Sequence, residues 1–139
     1  MKNLVSKKNF QILDHPADLK IKVWGNNLKD FFQNILTAIF SITNPETTDK
    51  KIKTKIEIKA NDLENLVFNF LTELIYQMDI NDTIFSEINF SKINEREIIS
   101  EIRGKKIKKL DTEIKGITWH DFSVKKEKDG YTAILLFDI

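Results

Sequence analysis

The chain has 139 residues, 41% hydrophobic and 31% charged, the balance of one globular domain able to bury a core without staples. It has no cysteine, which excludes disulfides, thiolate zinc sites, iron–sulfur clusters and cysteine nucleophiles. Its 22 basic and 21 acidic residues leave a formal charge of +1, and only Arg96 and Arg103 are arginine; this argues against an extended nucleic-acid surface, which needs a basic excess and favours arginine forks.

Met1 to Phe10 is Lys-rich and lacks the apolar run of a signal peptide. The first period-2 pattern follows. Leu19, Ile21 and Val23 alternate with Lys20, Lys22 and Trp24, which predicts a strand with one buried face. Asn26 or Asn27 can cap a helix whose stripe is Leu28, Phe31, Phe32, Ile35, Leu36, Ile39 and Phe40. Asn44–Pro45 ends it, because the residue before proline is pushed out of the helical region. A second alternating strand carries Ile52, Thr54, Ile56 and Ile58 on its inner face. A second helix opens at Asn61, with Glu64 three residues on as an approximate capping box. Its stripe runs from Leu63 through Leu66, Phe70 and Leu74 to Met78. Both stripes are broad enough to pack on a sheet.

Ile88 and Phe90, then Ile98, Ser100 and Ile102, mark further strands. Gly104 interrupts the alternation, so Lys105–Asp111 is expected to be a charged turn. Ile114 to Val124 and Tyr131 to Ile139 read as a final hairpin turning near Asp129–Gly130. The longest apolar run, Ala133 to Phe137, is far too short to span a bilayer. With no lipidation signal, the expectation is a soluble cytoplasmic protein with no membrane association. The predicted architecture is an α+β two-layer sandwich, two helices on one face of a mainly antiparallel or mixed sheet, as a single domain over residues 1–139.

Three segments could carry chemistry. Leu13-Asp14-His15-Pro16-Ala17-Asp18 sets two carboxylates and a histidine before a strand. Asp18 can be a metal ligand with His15 orienting it; equally, Asp14 and Asp18 can cap turn amides. The final strand is apolar enough to lie inside the sheet and stops at Asp138-Ile139, so the Asp138 side chain and the terminal carboxylate lie together on the body of the protein. Two such groups repel unless a cation or basic side chain lies between them. Hard oxygen donors favour Ca²⁺ or Mg²⁺ over zinc, although Asp138 could also simply solvate a strand end. In Lys115-Gly116-Ile117-Thr118-Trp119-His120, Lys115 can serve as a point charge for phosphate or remain one more exposed lysine, with space beside it at Gly116. No phosphate loop, dinucleotide fingerprint, nucleophile elbow or paired metal-spaced histidines occur.

Taken in order, these segments resemble one family, archease. The resemblance rests on Leu13 to Gly25, on Leu28–Phe40 with Ala38, on Asp62-Leu63-Glu64-Asn65-Leu66 with Ile75-Tyr76, on Ile114 to His120, and on the terminal Phe137-Asp138-Ile139. It covers residues 10 to 139. It implies an archease-like domain that acts as activator of the RtcB-type, GTP-dependent RNA-splicing ligase. Such a protein promotes guanylylation and multiple turnover of the ligase in tRNA splicing or RNA repair, and is not itself an enzyme. It further implies a divalent metal, Ca²⁺ with Mg²⁺ or Mn²⁺ as alternatives, on Asp18, Asp138 and the terminal carboxylate of Ile139. Asp14 and His15 would support these ligands, and Lys115 would be the lysine of ligase activation. RNA would be reached only through the ligase, and the protein is expected to be a monomer. Pro16 and Gly116 replace a usual Thr and Ala, and the segment from Gly104 to Lys115 is short and lacks the family's histidine. A stand-alone metal-dependent hydrolase using Asp18, Asp138 and His15, and a general chaperone or adaptor, are the alternatives from other classes.

Overall fold

The computed structural model describes residues 9–13 and 18–139. Among the described residues, nine elements follow in order: β1 Phe10–Leu13, β2 Leu19–Gly25, α1 Leu28–Thr43, β3 Glu46–Lys59, α2 Leu63–Asn81, β4 Thr83–Ile93, β5 Glu97–Lys109, β6 Gly116–Glu127 and β7 Gly130–Asp138. The strands form two sheets, β1-β2-β7-β6 and β3-β5-β4, and every pairing is antiparallel. The architecture is α+β, as expected, with the strands divided between two sheets. Strand partners are chosen by non-local packing, which period-2 patterns do not encode.

Asn27 caps α1, its side chain accepting the Asp30 amide at 2.8 Å. The helix ends at Asn44, in the left-handed region at φ 46°, whose amide donates to the Phe40 carbonyl. α2 is capped one residue later than the sequence suggests, by Asp62. Its carboxylate accepts the Asn65 amide at 2.8 Å and the Asn65 side chain at 2.9 Å. Those bonds hold the Asp62 carboxyl below the usual carboxylate range. Asn61 and Asp62 are both good caps, and the second one aligns Leu66, Phe70 and Leu74 with the core.

α1 packs against β2 and β7 of one sheet and β4 of the other; α2 packs against β6 of the first and β3 and β4 of the second. The helices therefore join the two sheets through a shared core. Phe32 is its hub, edge-on to Phe31, Phe70 and Phe90 at centroid distances of 5.4, 5.0 and 6.2 Å. Fully burying one such ring contributes ~1.5–3 kcal/mol relative to leaving it exposed.

The expected turn after Gly104 is absent. β5 continues to Lys109, paired with β3 through Lys109 and with β4 through Lys106. Lys126 and Tyr131 of the last hairpin meet Glu95 between β4 and β5, at 2.9 Å in each case. Among the described residues, no helix is long and apolar enough to cross a membrane.

Candidate functional site

β7 is an inner strand, with β2 on one side and β6 on the other. Ala133, Leu135 and Phe137 project into the core at 1% exposure or less, which is why this strand sits centrally. Both neighbours run antiparallel to it, so the starts of β2 and β6 meet the end of β7. Leu19 pairs with Phe137 and Gly116 pairs with Asp138. The next position along β2 puts Asp18 level with Asp138, in strands ~4.8 Å apart. The Lys115 amide donates to the Asp138 carbonyl at 2.7 Å. Asp18, Asp138, Ile139 and Lys115 are therefore brought to one edge of one sheet. Asp14 and His15 lie outside the described residues.

Alternation fixes the sidedness. Phe137 faces the core, so Asp138 faces out on the side that carries Leu136 and Lys20. Lys20 is the basic residue nearest Asp18 along that side of β2, and it pairs with Asp121 at 3.5 Å. Among the described residues, neither the Asp18 nor the Asp138 side chain has a hydrogen bond or ion pair to a protein group. Likewise, among the described residues no three His, Cys, Asp or Glu side chains gather in one place. The Ile139 main chain follows Asp138 directly. The oxygen donors of Asp18 and Asp138 would suit a hard divalent cation better than zinc or copper, which favour nitrogen or sulfur donors.

Lys115 is exposed and lines a groove of about 640 Å³ between α2 and the start of β6, together with Phe68, Thr72, Tyr76 and Asp79. A Cβ at Gly116 would meet nothing within 4 Å. The glycine is therefore not required sterically, and the space beside Lys115 is open. His120, 73% exposed, lies 3.5 Å from Asp121 and not at the β7 terminus.

One feature of β6 is not visible in the sequence pattern. Its pairing with β7 breaks between Thr118 and Ser123, and Asp121 there takes φ 56°. This bulge swings Trp119 onto Phe68, stacked at 3.9 Å and 11°, with Phe122 edge-on to both rings. Trp119 remains 48% exposed. The His120-Asp121 pair inside an alternating run was the available hint, because Asp tolerates the left-handed region that a bulge uses.

Comparisons with known proteins agree on the family. The model of the Archease protein family (MTH1598/TM1083) matches residues 10–139. A protein archease of Pyrococcus furiosus is 32% identical over 142 residues, covering 95% of this chain and 99% of that one. Another, from Methanosarcina barkeri, is 30% identical over 141 residues, covering 95% and 97%. The solution structure of Methanobacterium thermoautotrophicum protein 1598 superposes with a TM-score of 0.69 at 18% identity, covering 95% of this chain and 99% of that one. A Thermotoga maritima crystal structure, described as "an archease, possible chaperone", gives 0.68 at 18% identity, covering 93% and 96%. The family match over nearly the whole length, the 30–32% relatives and the common fold together make this chain a member of the archease family.

Proposed function

We propose that this protein activates an RtcB-type, GTP-dependent RNA ligase, assisting its guanylylation and repeated turnover without being a catalyst itself. The observation that supports this reading is the meeting of Asp18, the chain terminus and Lys115 at the end of β7, within a chain of archease ancestry. Asp18, Asp138 and the Ile139 carboxylate would hold a divalent cation, Ca²⁺ or alternatively Mg²⁺ or Mn²⁺. When bound, the cation supplies positive charge and oxygen-directed orientation. Lys115 adds a mobile ammonium on the same edge, suited to a phosphate oxygen of the nucleotide in the ligase. The chain's own residues thus act by placing charge, and the reacting atoms belong to the ligase. On this reading the protein is a cytoplasmic monomer that meets its partner with this edge.

The test is guanylylation of the cognate ligase at limiting activator. Wild type is expected to stimulate. Asp138→Ala and Lys115→Ala are expected to lose at least ~10-fold of the stimulation, the range in which a lost charge-positioning group is usually felt. Equal stimulation by all three folded proteins would sink the assignment. Suppression of aggregation of unrelated proteins, without ligase stimulation, would favour a chaperone.

A further inference from the structure

The outer face of the β3-β5-β4 sheet carries its charge unevenly. Ile56, Ile98 and Ile102 turn inward and are buried, so Lys51, Lys53, Lys55, Glu57 and Lys59 share the outward face of β3. Opposite them on β5, in register, stand Lys105, Arg103, Glu101, Ile99 and Glu97. Toward the β4–β5 turn this face is balanced. Glu97 takes Lys59 and Lys92, Glu57 takes Lys55, and Glu101 takes Arg103. Toward the other end it is not. Lys51 faces Lys105 and Lys53 faces Arg103, and like charges directly opposite in a sheet are destabilising. Among the described residues, Lys51, Lys53 and Lys105 have no carboxylate partner. Beyond Lys105, β5 ends at Lys109, which shares the alternation of Lys105.

The backbone shapes this end as well. β4 breaks register between Phe85 and Glu87, and Gly104 lets it approach so closely that a Cβ would lie 1.8 Å from the Ile84 carbonyl oxygen. The result is a groove of about 400 Å³ lined by Lys51, Lys53, Ser86, Glu87, Arg103 and Lys105. It has no aromatic platform. Cations that repeat every second residue, ~6.7 Å apart along a strand, suit an evenly charged polymer better than a single carboxylate.

We propose that this end of the sheet binds the phosphodiester backbone of single-stranded RNA, without base readout. The choice of RNA rests on the ligase reading above; the charge geometry does not. The contact is direct and lies on the other sheet from the β7 terminus, so it adds to any approach of RNA through the ligase. A near-neutral total charge conceals it because the 21 acidic residues are spread over the whole chain, and of the residues lining this groove only Glu87 is acidic.

The experiment is fluorescence anisotropy of a labelled single-stranded oligoribonucleotide with the full chain across a salt series. Expected is a logarithmic loss of affinity with salt, losing about 0.7 of slope for each phosphate contact removed. Lys51→Glu/Lys105→Glu should weaken binding about tenfold or more and flatten the slope. The milder Lys51→Gln/Lys105→Gln should weaken it in the same direction, and keeps the test available if charge reversal impairs folding. Lys59→Glu, at the balanced end, should change affinity less than about twofold. Absence of salt-dependent binding, equal binding by the Lys51/Lys105 variants and wild type, or displacement by polyglutamate as readily as by unlabelled RNA would overturn the proposal. RNA-free ligase guanylylation should be unchanged in these variants. Because binding is read on the isolated chain, its failure leaves the ligase reading intact, and a failed stimulation assay leaves the RNA surface intact.

Discussion

At Gly104 the missing side chain is what lets two strands touch, since any Cβ would collide with the Ile84 carbonyl. The collision is with backbone, so no rotamer change relieves it. Gly104→Ala is therefore expected to destabilise the fold by ~1–3 kcal/mol, the usual cost of overpacking, seen as a lower urea midpoint with unchanged slope. An unchanged midpoint would mean that β4 and β5 do not approach as described. The same residue shows where reading from sequence fails. A glycine followed by a lysine run has the local chemistry of a turn, yet the strand continues because β3 and β4 pair with it on both sides. Leu19, Ile21 and Val23 were legible for the opposite reason: their alternation is local, and it survives into a strand with a buried face.

Among elements, the two hairpins β4–β5 and β6–β7 are tied by Glu95, whose carboxylate accepts from the Tyr131 hydroxyl and pairs with Lys126. The bonds from Lys126 and then Tyr131 hold the Glu95 carboxyl below its ordinary range. Lys126 is raised by the bond and charge of Glu95. Tyr131 is raised, first by burial and then by its bond to Glu95. A lowered carboxyl stabilises above its unfolded value of about 4.3 and loses that contribution as pH falls through the folded value. The raised Lys126 and Tyr131 contribute below their unfolded values and lose it as pH rises through the folded ones. The tie therefore operates between an acidic and an alkaline edge. Glu95→Gln should lower the urea midpoint slightly at neutral pH, and the gap to wild type should narrow as pH falls through the lowered value of the Glu95 carboxyl. A gap independent of pH would show that the ionised carboxylate is not what holds the hairpins. This contact joins residues far apart in sequence and lies in no motif, so no pattern in the chain announced it. The starts of both helices were legible to within a residue because their caps and stripes are local, whereas α2 runs three residues past Met78, the last residue of its predicted stripe.

For the whole molecule, the antiparallel order β2-β7-β6 converts a sequence fact into a spatial one. The chain ends where its most buried strand ends, and both neighbouring strands start there. An interior place for the apolar final strand was legible from its residues, whereas the joining of Asp18 to Asp138 came only from the family resemblance. The division into two sheets was not legible, nor was the charge segregation on the second one, since both depend on strand register. The overall charge of +1 averages over a carboxylate edge on one sheet and a lysine-rich end on the other. The fold leaves like charges unneutralised in the two places from which the proposals start: a carboxylate pair at the end of β7 and a lysine-rich end of the second sheet.

The most direct check is calorimetric titration of Ca²⁺ into the wild-type chain and into a chain lengthened by a short Gly-Ser tail after Ile139, with circular dichroism to establish that both are folded. The tail turns the terminal carboxylate into an amide and leaves Asp18 and Asp138 in place. A loss of Ca²⁺ affinity of at least ~10-fold in the lengthened chain is predicted, as befits the removal of one of three anionic ligands. Equal affinity in the two chains, or no binding by the wild type, would contradict it.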